Sequence, residues 1–424
     1  MIISKKCQIF PSMKTIENLW YISNLCTDIW NVALEQRTYK KNYDINMYTQ
    51  KKELVHIKQY FPEFKQPSSQ VLQNVIISLD NSFKSFYSKI KNKDFLANPP
   101  RFKSKKYFYT QEYSQYSSSF LIEDNELKLA YGTNKKSWLS IQLPKEINFI
   151  NNFKTVKIIY DKSNNKYYAC FTYEFKELSY VEDKNNMYFD PGAKTLLTGI
   201  NTDGNFFEYD ISNLRKVNMQ TYLHIDKLKS KLSSKCKNSN RWLKIKNKIK
   251  KSYSKINTRT KIVLSKIANQ ILIDNPHITH FKIGNWTTPK TISKTENKIK
   301  DKSINRAVQN NNPLSKLINI LTYKAKMVGK KVSKFDEKGT TRTCSMCGKK
   351  HTEGYSPDKR TFICADQTIC KFKYPRDHQS GLNFIKKNEP ALWQSLVANL
   401  PTSSKRIQIN TFSCKIQKNI VLFK

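Results

Sequence analysis

Carboxylates are scarce in this sequence. Only 33 Asp and Glu stand against 75 Lys and Arg, for a formal net charge of +42 and a pI near 9.8. A folded chain with that imbalance repels itself, and a polyanionic partner removes the penalty. A solubility device or a Lys/Asn/Ile-rich genome explains abundant lysine better than it explains missing acids. Long apolar runs are also missing. No stretch approaches the roughly 18 apolar residues of a membrane span, so no membrane partner is expected. The start, MIISKKCQIFPSMK, lacks the apolar core and small-residue cleavage site of a secretory signal. No internal repeat is visible. Of nine cysteines, Cys7, Cys26, Cys170, Cys236 and Cys414 are scattered singly, and an odd total argues against a disulfide framework. A reducing bacterial cytoplasm, at the nucleoid, is the expected location.

The remainder supports folded cores. At 424 residues the chain exceeds one compact core, and 38% apolar with 12% aromatic residues can fill two to four units. Residues 2–10 read as a strand. Residues 14–38 place Leu19, Ile22, Cys26, Ile29 and Ala33 at helical spacing. A second helix covers about 67–90, with Val71, Leu72, Val75, Ile76 and Leu79 as its stripe. NPPRFKSKK, Asn98 to Lys106, is a Pro-broken basic loop. From 107 to 178 the pattern is strands: SSFLI, NELKLA, LSIQL, TVKIIYD and KYYACFTYEF. This is an all-β unit with two helices inserted after its first strand.

Near 185 strands begin to alternate with helices, as in an α/β layer. MYFDPGAKTLLTGINTDG reads as two strands and a hairpin, and 213–274 as basic helix. The strand ITHFKI, the helix LSKLINILTYKAKMVGKK and the strand KVSKFD follow, with a last helix near Arg376. The stretch from 391 to 424 has no assignment.

The cysteines carry the strongest chemical signal. Cys344 and Cys347 are separated by two residues, Cys364 follows after sixteen more, and Cys370 after five. Two such pairs can close a tetrahedral zinc site; the alternative is a set of free buried thiols. In FDPG, Asp190 ends an apolar strand, where a metal-dependent phosphodiesterase needs a carboxylate. Asp-Pro-Gly alone is also an ordinary turn. In PRDHQSGLNF, Asp377 opens a helix, a position that equally suits a cap.

Taken in order, FDPG, a strand ending at 283, a helix with YKA, TTRTCSMCG and RDHQSGLNF resemble TnpB, the transposon-encoded RNA-guided nuclease related to type V CRISPR effectors. WNVALEQR, SSQVLQNVIISLDNSFKSFY and PPRFKSKK extend the resemblance into the N-terminal half, over about 1–388. The resemblance implies an α+β multidomain chain. A wedge β-barrel (1–12 and 95–182) would carry a helical recognition insert (13–94). A RuvC-like domain of ribonuclease H fold (183–338 and 375–390) would carry a zinc ribbon (339–374), leaving a tail at 391–424. It implies structural zinc on Cys344, Cys347, Cys364 and Cys370, and Mg only if the nuclease site is active. The partners implied are a guide RNA and a double-stranded DNA target.

The family's nuclease uses Asp, Glu and Asp on two metals. The first falls on Asp190 and the last on Asp377, while the Glu position reads Gly284. The last motif has also changed, to Asp377-His378-Gln379-Ser380-Gly381, with Asn383 kept. Glycine offers no ligand, and the next acid, Glu296, lies beyond Pro289. The catalytic set is therefore read as vestigial, as in the nuclease-dead TnpB-like repressors, where base pairing reads the target and the protein reads a short flanking motif. Arg101, Lys103, Lys105 and Lys106 are candidate backbone contacts. Gln70, Gln73 and Asn74 are candidate readers of that motif, or a solvated helix face. The basic run 227–260 is either an RNA contact or solvated surface, and the net charge favours contact. The competing functions are an active RNA-guided endonuclease with a displaced third ligand, and a decayed transposon protein that binds nucleic acid without a guide.

Overall fold

Period-2 burial along IISKKCQI and KYYACFTYE pairs the start of the chain with a strand far downstream. The structure is a computed structural model. It describes residues 1–39, 45–132, 137–144, 152–180, 185–192, 195–285, 312–336, 339–351, 360–413 and 415–422. They fall into two units, Met1–Lys176 and Glu177–Lys424.

In the first unit, β1 (Ile2–Ile9) and three later strands form an antiparallel sheet. These are β2 (Gln111–Ser114), β6 (Phe153–Asp161) and β7 (Lys166–Glu174), in the order β1-β7-β6-β2. A second antiparallel sheet holds β3 (Phe120–Glu123), β4 (Glu126–Ala130) and β5 (Trp138–Gln142). Helices α1 (Met13–Tyr39), α2 (Met47–Tyr60) and α3 (Ser69–Lys91) are inserted between β1 and β2. Leu19, Ile22 and Cys26 of α1 meet Val71, Leu72 and Leu79 of α3 over Tyr113, Val156 and Phe171 of the sheet. Full burial stabilises each such side chain by about 1.5–3 kcal/mol. Helix α2 was not expected from periodicity. It buries only Gln50 and Leu54, and its start is set by Asn46, whose side chain accepts the N–H groups of Tyr48 and Thr49.

The second unit is built on a seven-stranded sheet. Its first strands, β8 (Asn186–Pro191), β9 (Leu197–Asn201) and β10 (Phe206–Asp210), form an antiparallel meander. Strand β11 (His280–Gly284) runs parallel to β8, and β12 (Lys331–Phe335) runs parallel to β11. One face of the sheet packs on α5 (Asn240–Asp274) and α6 (Leu314–Met327) through Phe189, Phe281, Ile267 and Leu321. The other face, by alternation, presents Tyr188, Ile200 and Phe206 to Leu382 and Ile385 of α7 (Arg376–Asn388). Helix α4 (Ser212–Ser233) precedes α5 and pairs with it. A ribbon of β13 (Thr361–Ile363) and β14 (Lys373–Pro375) flanks the cysteines.

The stretch from 391, unassigned by sequence, is part of this unit. Helix α8 (Pro390–Ala398) is followed by β15 (Ser403–Ile409) and β16 (Ile416–Leu422). Strand β15 adds to the sheet parallel to β10, and β16 pairs antiparallel with β15. The full order is β12-β11-β8-β9-β10-β15-β16. Two buried carboxylates hold the addition: Asp274 accepts Lys418 at 2.8 Å, and Glu208 accepts Arg406 at 2.6 Å.

Candidate functional site

The four cysteines converge. Cys344, Cys347, Cys364 and Cys370 place their Sγ atoms within 4.8 Å of one another. Cys344 and Cys370 are 3.8 Å apart, and Cys347 and Cys364 3.5 Å. Four thiolates at about 2.3 Å from a tetrahedral centre stand about 3.8 Å apart, whereas a disulfide needs about 2.05 Å. The donor set therefore fits structural zinc, which would be bound by all four thiolates and would cross-link the two turns.

The turns are built alike. The N–H of Lys349 bonds Cys347, and the N–H of Asp366 bonds Cys364 Sγ at 3.3 Å, each two residues on. Gly348 follows the first pair at φ +78°, a left-handed conformation that favours glycine. Lys371 takes that role after Cys370, at φ +47°. Burial raises the Cys344 thiol to about 12. At Cys347 burial also pushes upward, but the Lys349 N–H and neighbouring thiols bring it down to about 7.

Asp366 organises the long second turn, and the sequence reading missed it. Its carboxylate accepts Thr368 Oγ1 at 2.8 Å, the Ile369 N–H at 3.1 Å and Lys349 Nζ at 3.1 Å. The first two close the five-residue spacer, and the third ties it to the first turn. These bonds, Thr368 foremost, hold the carboxyl at about 2. An Asp two residues after a cysteine, followed by a threonine two further on, was the available signal.

Helix α7 is clamped to the first cysteine turn. Asn383 Nδ2 donates to the carbonyls of Thr340 and Thr343, both at 2.7 Å. Gln379 donates to the Thr343 carbonyl as well, and Lys386 to those of Ser345 at 2.6 Å and Met346 at 3.1 Å. Residues 379, 383 and 386 share one helix face. The helix that opens with Asp377 thus depends on the cysteine turn for its position.

Asp190 and Gly284 lie on adjacent strands. Ile283 is level with Phe189 in the parallel pairing of β11 and β8, so Gly284 comes level with Asp190. Gly192 of FDPG serves the local chain: a Cβ there would stand 2.4 Å from the Thr195 carbonyl. The rung through Asp190 continues to Thr198, Glu208 and Arg406. Strands lie about 4.8 Å apart, so Glu208 stands about 10 Å from Asp190, on the α7 face. Glu208 is buried and engaged. It accepts Ser404 Oγ at 2.9 Å and Arg406 Nε at 2.6 Å, with His378 Nε2 3.2 Å away. Burial pushes its pKa upward, but the close approach of His378 and the bond from Arg406 outweigh this and hold it at about 2. A glutamate inside the apolar strand FFEYD was its signal. Asp377 is bound by Arg376, at 3.2 and 3.1 Å, with Arg360 3.9 Å away. Among the described residues, the four cysteines are the one group of three or more ligand-type side chains found to converge. Glu296 lies outside the described residues.

In the first unit, the basic loop is laid along α1. Trp30 Nε1 donates to the Arg101 carbonyl at 3.0 Å. Asn31 brackets Lys103, accepting its N–H at 2.8 Å and donating to its carbonyl at 2.9 Å. The Lys103 ammonium sits 3.3 Å from the Trp30 ring centroid and 4.2 Å from that of Tyr109, and burial lowers its pKa to about 8. Lys105 pairs with Asp28 at 2.8 Å, the Arg101 guanidinium bonds Asn98 at 2.6 Å, and the Lys106 N–H donates to Ser104. Asn74 donates to the Glu112 carbonyl and Ser114 Oγ, and Gln70 to Gln115, while Gln73 is half-buried. Asn74, Ser78, Lys103, Tyr107, Glu112 and Lys157 line a groove of about 640 Å³ between α3 and the loop. Arg101, Lys105, Lys106, Gln70 and Gln73 are not among its lining residues.

Comparison with known proteins agrees with this layout. Residues 315–384, from α6 through the cysteines into α7, match the family model "Cas12f1-like, TNB domain". Over 234 residues the chain is 24% identical to the TnpB-like proteins L79 and L770 of Acanthamoeba polyphaga mimivirus, a match spanning 55% of this chain and 43% of each relative. Kinship with TnpB-like and Cas12f-like proteins is supported. The chain spans less than half the length of those relatives. The fold is similar to that of the mini RNA-guided endonuclease CRISPR-Cas_phi3. The TM-score is 0.52, with 9% identity, over 91% of this chain and 92% of that one.

No helix among the described residues is long and apolar enough to cross a membrane.

Proposed function

We propose that this chain is a nuclease-inactive, RNA-guided DNA-binding protein. It would repress transcription by occupying a guide-matched target beside a short flanking motif, as a TnpB-like repressor of the TldR kind. The carrying observation is Gly284 level with Asp190, where a two-metal site needs a further carboxylate. The state of the other acids supports it. Glu208, on the same rung, is engaged by Arg406 and Ser404, and Asp377 by Arg376. A metal would have to displace those partners first.

The mixed sheet with helices on both faces supports the RuvC-like reading of this unit, and the converged cysteines support the zinc ribbon. The two antiparallel sheets with inserted helices support a wedge barrel with a recognition insert. In this reading Gln70, Gln73 and Asn74 face the flanking motif, and Arg101, Lys103, Lys105 and Lys106 the nucleic-acid backbone. The retained cysteines and basic surface suit binding that outlasts cleavage, with guide RNA and duplex DNA as partners.

The deciding experiment is to purify the protein from its host and sequence the RNA that comes with it. One discrete species with a constant guide, directing binding without cutting, is expected. Cutting that depends on Asp190 and Asp377 would establish an active endonuclease instead. A smear of unrelated RNA would favour unguided binding.

A further inference from the structure

The hairpin of α4 and α5 carries 17 Lys and Arg between 212 and 274, against Asp226 and Asp274 alone. Asp274 is buried and already bound by Lys418. From Lys227 to Lys255 there are twelve cations and no carboxylate, and among the described residues none of the twelve makes an ion pair. The hairpin has its own small core: Ile225 and Leu228 pack on Ile249 and Ile256, with Tyr222 and Tyr253 beside them. Folding therefore does not explain the charge.

Five of these cations form a line. At about 100° per residue, Arg241, Lys244, Lys248, Lys251 and Lys255 fall within an arc of about 80° and run for about 21 Å along α5. All five are exposed.

We propose that this stripe holds the phosphate ridge of a double-stranded segment of the guide RNA. The proposal rests on the RNA-guided reading above. A rigid row of point charges suits a regular backbone, and four of the five are lysines, compact charges without the planar fork of arginine. A single strand would be held by stacking on exposed aromatics. Here Trp242 has Lys246 4.3 Å from its ring, and Tyr222 and Tyr253 are turned into the small core. RNA rather than DNA is the occupant because the repulsion must be offset before any target is met.

The test uses the full chain stripped of nucleic acid and a variant with all five residues changed to Gln. Affinity for a synthetic RNA duplex, the matching DNA duplex and a single strand is measured across salt. At about 0.9 counterions per duplex phosphate, five contacts add about 4.5 to the log–log slope. Between about 0.05 and 0.2 M salt the wild type should then lose about 500-fold more affinity for the RNA duplex than the variant. Lys→Arg at the four lysines should keep the wild-type slope. An unchanged slope overturns the proposal, as does an equal change on the single strand or a larger one on DNA. Should circular dichroism show lost helix in the five-site variant, Lys248→Gln with Lys251→Gln replaces it, with an expected slope change of about two. Host RNA tests the guide reading, and the synthetic duplex tests the stripe, so either can fail alone.

Discussion

Removing Arg406 isolates the contact that joins β15 to β10. In Arg406→Ala, Glu208 stays buried and charged, with Ser404 and His378 as its remaining partners. Stripping one member from a buried pair costs about 3–5 kcal/mol. The Arg406 side chain is 41% exposed, so solvent screens part of the interaction and about 2–3 kcal/mol is expected. Hydrogen exchange followed by mass spectrometry reads this locally. Amides of 206–210 and 403–409 should exchange about 30- to 160-fold faster, while β1 and β7 keep their wild-type protection. Adding Glu208→Gln should recover part of the loss, because a neutral amide does not need the cation. The sign with pH follows from Glu208. Its folded pKa, about 2, lies below the 4.5 of a free glutamate. Its contribution is complete above about 4.5 and is lost as pH falls towards 2, so Arg406→Ala should unfold at a higher pH. Exchange within threefold of wild type, or a double variant no better than the single one, would refute the reasoning.

Metal analysis should find one zinc per chain, and Cys344→Ser or chelation should remove it. Loss of zinc should speed exchange along α7, because Gln379, Asn383 and Lys386 lose an ordered turn to bind. Asp366→Ala should release zinc to a chromophoric chelator about 10- to 100-fold more readily, whereas a purely local turn would leave release unchanged. Gly284→Glu alone should leave cutting at background, because Asp377 stays bound to Arg376 and Arg360. Cutting restored by that single change would place the lesion in one ligand.

Where side-chain period matched burial, sequence was a good guide. The stripe from Val71 to Leu79 and the strand ITHFKI lie as their periods predict. The cysteine spacing anticipated the cluster despite the five-residue spacer, because Asp366 folds that spacer into a turn. Helix α2 was missed because its interior is polar and its cap uses Thr49 where a Glu or Gln is the usual sign. Strand β15 was missed for a different reason. Ile407 and Ile409 face the core, but Ser404 and Arg406 face the buried Glu208, so half of its pattern reads as surface. Strand β16 exposes Ile420 and Leu422, which inverts the usual sign. The neighbours of Gly284 depend on a register between strands more than ninety residues apart, which no local pattern encodes.

The parallel pairing of β10 with β15 also sets a timetable. Arg406 follows Glu208 by 198 positions, so during synthesis β10 waits as an open edge while the cysteine turns and α7 are still being made. Open edges recruit other strands, and an intermediate of this size is exposed while it waits. A message cut short after α7 would therefore yield a chain with a bare strand and a Glu208 carboxylate that has lost Ser404 and Arg406. Such a product is fit for proteolysis rather than for a shortened version of the same work.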